Sequence, residues 1–184
     1  MTLPDPAMVG KPRYPRRDAE LYETPEWCTR VLLRTVTFEK VWEPACGRGA
    51  ISRVLEGERI DVASTDLHDH GYGTPGIDFL TSSDETSRDI VTNPPYDQAD
   101  AFVRKALELT ARHQGYVAML MRHEWDAGKT RDDLLAPGSR FFAKIVLTER
   151  PVWFEDVVAR PRHNFAWYVW AGVPVDYPKL LRGR

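Results

Sequence analysis

Short apolar runs that end abruptly at a proline, a glycine or a charge, with stretches of helical periodicity between them, constrain this chain more than any other feature. Lys40-Val41-Trp42-Glu43 stops at Pro44; the turn Ala45-Cys46-Gly47-Arg48-Gly49 and a helical stretch through Val54 and Leu55 follow, giving strand, glycine loop, helix. Upstream, a helix is expected with Thr24 as N-cap, Pro25 in the first helical position, and Trp27 and Val31 on one face. Ile60 to Thr65 reads as a second strand ending at Asp66, and Asp89 to Thr92 as another, stopped by Asn93-Pro94-Pro95. Asp97 is placed to cap the next helix, with Asp100 at the box position and Ala99, Phe102, Val103, Ala106, Leu107 and Thr110 on one face. The continuous apolar run Tyr116 to Met121 predicts a strand buried on both faces. Phe141 to Leu147 and Phe165 to Ala171 predict strands with no crossover helix between them, hence an antiparallel pair. Together these elements predict an α/β fold: a doubly wound, mostly parallel sheet with an antiparallel C-terminal strand pair as its reversed edge.

The 184 residues fit one domain, 1–184, in which residues 1–17, with four prolines and little apolar periodicity, read as a flexible arm. Two cysteines, Cys28 and Cys46, cannot build a disulfide scaffold. No apolar run is long enough to span a membrane and no apolar signal segment opens the chain, so a reducing, cytoplasmic setting is expected. The net charge of -2 conceals an uneven distribution. Residues 1–17 carry four basic side chains against one acidic, residues 18–119 ten against eighteen, and residues 120–184 eleven against eight. An acidic middle between basic ends suits a body that handles a small cofactor while its ends meet a polyanion.

The tetrapeptide Asn93-Pro94-Pro95-Tyr96, at the carboxyl end of a predicted strand, is the most informative motif. By average residue usage it arises by chance in fewer than about one chain of this size in a thousand. Two prolines remove two backbone donors and fix the chain direction, so the Asn93 side chain and the Pro94 carbonyl are left as outward acceptors. That pair would hold an exocyclic amine with two hydrogens, and Tyr96 offers a flat face for a planar ring. The glycine loop is less specific, but Asp66 follows Gly47 at the end of the next strand, where a carboxylate can accept from both hydroxyls of a ribose. Only two glycines are present where a pyrophosphate fingerprint has three, and Glu43 beside the loop would repel phosphate but suit an amine or sulfonium cation.

On these residues the chain resembles class I S-adenosylmethionine-dependent methyltransferases of the amino-methylating type, most of all adenine-N6 DNA methyltransferases. Glu43-Pro44-Ala45-Cys46-Gly47-Arg48-Gly49 resembles the family's cofactor loop, Asp66 with Leu67 its ribose-binding acid, and Asp78-Phe79 the pair that brackets the cofactor adenine. Asn93, Pro94, Pro95 and Tyr96 match its catalytic tetrapeptide, and Tyr22-Glu23-Thr24-Pro25 the upstream element that touches the methionine end of the cofactor. The order of motifs is similar to the gamma arrangement. The resemblance implies S-adenosylmethionine as cofactor, DNA as partner and base flipping on to Tyr96. It also implies a mechanism without a strong base, because the amine proton is acidic once nitrogen is alkylated. Only about 60 residues follow the core, little for a target-recognition region, which implies modest sequence selectivity or a second subunit, including a homodimer. Adenine in RNA, a protein glutamine amide and a non-catalytic nucleic-acid or cofactor-binding module stand as alternatives.

Other features read as structural. His68-Asp69-His70 reads as a polar loop in preference to a metal site, and Cys46 as a small buried residue beside the cofactor in preference to a nucleophile. Trp153, Phe154 and the run Phe165 to Trp170 read as sheet packing, while Arg150, Arg160 and Arg162 are candidates for phosphate contacts. His123-Glu124-Trp125 falls at the edge of the sheet expected to face substrate.

Overall fold

A computed structural model describes residues 21–83, 86–153 and 163–183. The proposed arm, Phe154, Arg160 and Arg162 lie outside the described residues. The described chain runs α1 (Glu26–Leu33), β1 (Lys40–Glu43), α2 (Ala50–Gly57), β2 (Asp61–Ser64), β3 (Asp89–Thr92), α3 (Ala99–Leu109), β4 (Val117–Arg122), α4 (Asp132–Leu135), β5 (Phe141–Leu147), β6 (Phe165–Trp170) and β7 (Lys179–Gly183). The strands form one sheet in the order β2-β1-β3-β4-β6-β5-β7. β2, β1, β3 and β4 are mutually parallel, and β6 runs antiparallel to both β4 and β5.

Side-chain alternation explains why helices cover both faces. Along β4, Ala118 and Leu120 pack on the side of α1 and α2, with Val31, Leu32, Ile51 and Leu55. Val117, Met119 and Met121 pack on the other, with Phe102, Val103 and Ala106 of α3. β6 alternates likewise, Trp167 and Val169 toward α1 and α2, Tyr168 and Trp170 toward α3. Its aromatic residues are packing groups, as expected, and their polar atoms are satisfied: Trp167 Nε1 donates to the Cys28 carbonyl at 2.8 Å and Trp170 Nε1 to the Leu134 carbonyl at 2.9 Å.

Three expectations are corrected. The antiparallel pair is not the sheet edge, because β7 adds in parallel outside β5. Thr24 does not cap α1; Pro25 stands at the cap position, where it has no side-chain donor or acceptor to offer, and Thr24 makes a different contact, described below. Neither Asp97 nor Asp100 caps α3. A turn closed by the Gln98 N–H on the Pro95 carbonyl delays the helix, and Gln98 becomes the cap residue. Asp100 instead accepts from Trp125 Nε1 at 2.7 Å and from Arg131 Nε at 2.8 Å, fixing the segment after β4.

Arg140 sews three elements together. Its guanidinium donates to the carbonyls of Ala171, Leu107 and Gly115 and to Thr110 Oγ1, joining the end of β6 to the carboxyl end of α3 and the turn that leads into β4. Burial holds its pKa below the usual guanidinium value. Methionine fills the space but donates to none of those oxygens. Arg140→Met is therefore expected to destabilise the fold by about 2–4 kcal/mol, read from the denaturant midpoint at unchanged slope.

Candidate active site

β1 and β3 are neighbours, yet β2 lies outside β1 and β4 outside β3, so the chain order reverses between them. Crevices of open α/β sheets form at the carboxyl ends of strands at such a switch point. Glu43 ends β1 and Asn93 directly follows β3 there, and between them opens a cavity of about 320 Å³, within the range of small-molecule sites. Tyr22, Thr24, Glu43, Pro44, Ala45, Cys46, Gly47, Asp66, Leu67, Asp78, Phe79, Asn93 and Pro95 all line it. Gly49, Pro94 and Tyr96 do not, although each adjoins a residue that does. Residues not proposed for the site from the sequence join them, among them Leu21, Ala50, Ile51, Ile77, Gln98 and Phe102. Only Phe102 carried a sequence signal, as a core position of α3.

The glycine loop takes its shape from two left-handed residues, Gly47 with φ +53° and Gly49 with φ +82°. A Cβ on Gly49 would stand about 2.5 Å from the Tyr72 ring, so this position needs glycine for space as well as conformation, while Gly47 needs it for conformation. Gly49 is also the N-cap of α2 and has no side chain to satisfy the first-turn amides. Glu43 supplies that acceptor from β1: its Oε2 accepts the Ser52 N–H at 2.8 Å and the Ser52 hydroxyl, and Ser52 in turn meets Ser64 Oγ at 2.6 Å. Asp66 closes the loop from β2. One carboxylate oxygen accepts the Gly47 N–H at 2.8 Å and the other the His68 N–H at 2.9 Å, which leaves each oxygen with further accepting capacity.

Burial pushes the Glu43 carboxyl up to about 8, against the opposing effect of its Ser52 hydrogen bonds. The unfolded chain loses this proton near the ordinary carboxylate value, so the stabilisation is complete below that value. It is lost as pH rises through the folded value. Glu43→Gln removes the titration, and its stability relative to the native protein is expected to climb between pH 5 and 8 by up to ~1.4 kcal/mol per pH unit. Denaturant midpoints of the two proteins across that range test it; parallel curves would defeat the assignment. Burial also pushes the Cys46 thiol up to about 12, so Cys46 is a packing residue and not a thiolate nucleophile at neutral pH.

On the β3 side, Asn93 Nδ2 donates to Thr24 Oγ1 at 3.2 Å and to the Tyr22 carbonyl at 3.4 Å. Asn93 Oδ1 is buried with no hydrogen-bond partner among the described residues. The Tyr96 ring stacks against Tyr22, with centroids 5.5 Å apart and planes 28° apart, leans on Phe165 at 5.6 Å, and has the Arg122 guanidinium 5.8 Å from its centroid. Trp153 completes this aromatic cluster, 4.8 Å from Phe165 and 5.9 Å from Tyr22. Phe79 forms the apolar floor between Trp42 at 5.3 Å and Phe102 at 4.9 Å, and Asp78 caps the short turn that carries it by accepting the Leu80 N–H.

Elsewhere, His70 Nε2 stands 3.7 Å from Asp66, and among the described residues no group of three or more His, Cys, Asp or Glu side chains could hold a metal ion. Arg150 Nε donates to Asn164 Oδ1 at 2.9 Å, and the Asn164 carbonyl accepts the His123 N–H, which brings both residues to the β4 end of the sheet. No helix among the described residues is long and apolar enough to cross a membrane.

No protein-family model matches the sequence, and no curated protein matches it either. Solved structures do. The chain superposes on a modification subunit of a type I restriction enzyme from Vibrio vulnificus with a TM-score of 0.60 at 15% identity. That match covers 88% of this chain and 47% of the other, so the chain spans about half the length of the subunit. A protein assigned as a class I S-adenosylmethionine-dependent methyltransferase from Listeria monocytogenes matches with a TM-score of 0.53 at 12% identity, over 86% of this chain and 62% of that one. A protein assigned as an RNA methyltransferase from Pyrococcus horikoshii matches with a TM-score of 0.59 at 13% identity, over 85% and 88%. The likeness is one of fold. The seven-stranded, mostly parallel sheet with its antiparallel strand is a Rossmann-like α/β fold, the fold it shares with those structures.

Proposed function

We propose that the protein transfers a methyl group from S-adenosylmethionine to the N6 amine of adenine in DNA. The observation that carries this reading is Asn93 Oδ1, a buried acceptor with no partner among the described residues, on a side chain that lines the same cavity as the glycine loop. Leaving such an acceptor unpaired costs about 1–3 kcal/mol, a cost that an incoming N–H relieves.

The cavity suits the cofactor chemically. The Asp66 carboxyl group stands beside the glycine loop, where a dinucleotide would bring its pyrophosphate, and disfavours an anion there. Asp66 would hold the ribose, Leu67, Asp78 and Phe79 the adenine ring, and Tyr22, Thr24, Glu43 and the loop from Pro44 to Gly49 the methionine end. S-adenosylmethionine supplies an electrophilic methyl group on sulfur. The protein's part is orientation: Asn93 Oδ1 and the Pro94 carbonyl accept the two hydrogens of the amine and so favour the tetrahedral nitrogen whose lone pair points into the cavity. Tyr96 would flank the base in place of its lost stacking neighbours, which requires Tyr22 to yield the face it now covers. The basic charge of residues 1–17 and 120–184 suits a polyanion, and DNA is proposed among polyanions on the resemblance of Asn93-Pro94-Pro95-Tyr96 to the tetrapeptide of adenine-N6 DNA methyltransferases.

Purified protein with labelled methyl donor, offered duplex DNA, single-stranded DNA, RNA and protein, tests the reading. Label is expected in N6-methyladenine released from DNA. Label lost to ribonuclease or protease instead would move the activity to RNA or to a glutamine amide, and no label in any acceptor would sink it.

A further inference from the structure

A side-chain amide can present either end to a ligand unless its surroundings select one, and an incoming amine needs the oxygen of Asn93. The selection is made by the segment before α1. Asn93 Nδ2 lies 3.4 Å from the Tyr22 carbonyl, which can only accept, so nitrogen must face this segment and Oδ1 is turned away from it. Thr24 Oγ1, at 3.2 Å, takes the other amide hydrogen. Thr24 is 5% exposed and its side chain is not used to cap the adjoining helix, so the hydroxyl is held in a fixed place for this contact. The segment is held in turn by Leu21 against Gly47 and by Tyr22 against Tyr96.

We propose that Thr24 is a positioning residue for methyl transfer: by accepting an N–H from Asn93 it aims the amide oxygen at the acceptor amine. This rests on the reading of the site as an amine methyltransferase. The hydroxyl keeps its own proton to donate, and because Thr24 also lines the cavity, one side chain touches both the cofactor half and the acceptor half of the site. Sixty-nine residues separate Thr24 from Asn93, so the contact exists only in the folded chain.

The test compares Thr24→Val, which keeps shape and loses the acceptor, with Thr24→Ser, which keeps the acceptor. In Thr24→Val the amide loses one of two restraints and samples the inverted orientation, so kcat is expected to fall about tenfold to a hundredfold. With kcat read at saturating cofactor, KM for the nucleic acid should stay within about threefold, because the groups proposed to hold the base are intact. Thr24→Ser should recover kcat to within about threefold of the native value. A merely structural role would lower the thermal midpoint together with kcat at saturating cofactor, and serine would not rescue it. Either that pattern or a Thr24→Val enzyme with kcat within twofold of native overturns the proposal. A second readout needs no turnover. The Asn93 side-chain NH2 resonances, identified by their loss in Asn93→Ala, should exchange with solvent about tenfold faster in Thr24→Val than in the native protein or Thr24→Ser, and equal rates overturn the proposal. Native protein that labels no acceptor would defeat the methyltransferase reading, and the exchange measurement would still decide whether Thr24 orients Asn93.

Discussion

Asn93→Ala is expected to lower kcat for methyl transfer by about 10²- to 10³-fold, the scale seen when one preorganised hydrogen-bonding group is removed from a reacting centre. Cofactor affinity should change little, since Gly47, Asp66 and Phe79 form their own wall of the cavity from different strands and loops. The effect belongs to kcat because the Asn93 acceptor becomes most favourable as the amine nitrogen turns tetrahedral and its hydrogens grow more acidic. Asn93→Asp separates acceptor from orientation. A carboxylate still accepts, but it cannot donate to the Tyr22 carbonyl or to Thr24 Oγ1 and is repelled by the former. It should recover only part of the lost rate. Single-turnover rates with saturating cofactor measure both variants, and an Asn93→Ala enzyme within fivefold of native would remove Asn93 from the site.

The parts of this molecule that sequence reveals are those in which neighbouring residues set the structure. Pro44 ends β1 whatever it packs against, Gly47 and Gly49 admit a left-handed turn, and the run from Val117 to Met121 can only be a strand covered on both faces. The same locality makes Asn93-Pro94-Pro95-Tyr96 conspicuous. Contacts decided by tertiary structure are hidden. Thr24 reads as a helix cap because it precedes Pro25, whereas its hydroxyl is committed to Asn93. Glu43 reads as a partner for a cation, and it is also the acceptor that α2 lacks, because Gly49 cannot cap its own helix. Asp100 reads as part of a capping box and is drawn away by Trp125 and Arg131, 25 and 31 residues downstream. β7 escapes notice for another reason. Lys179–Gly183 lies at the sheet edge, largely exposed, so it shows no alternation, and its register comes from parallel pairing with β5.

Trp167→Ala is expected to have the largest effect on stability, about 4–5 kcal/mol, because it removes a fully buried indole at the centre of the sheet. Trp167 faces Leu120 of β4 on one side and Ile145 of β5 on the other, and its Nε1 holds the Cys28 carbonyl of α1. Alanine leaves a cavity that three strands and a helix cannot collapse without breaking their registers, and it also removes the donor on which α1 rests. For a domain of this size that loss corresponds to a fall in Tm of about 8–20 °C, and to a large share of total stability. Trp167→Phe keeps most of the apolar volume and loses the donor and the outer part of the indole, so about 2–3 kcal/mol is expected. Nearly equal effects in the two variants would show that the hydrogen bond, and not the packing, dominates. The consequence reaches the site, because α1 is what carries Thr24 to Asn93. Loosening Trp167 frees the helix that the Tyr22–Thr24 segment leads into, so Trp167→Ala should lower kcat even well below its own Tm, with cofactor affinity less affected. Activity that stays native until the thermal transition begins would show that the Thr24 contact is held by Leu21 and Tyr22 alone.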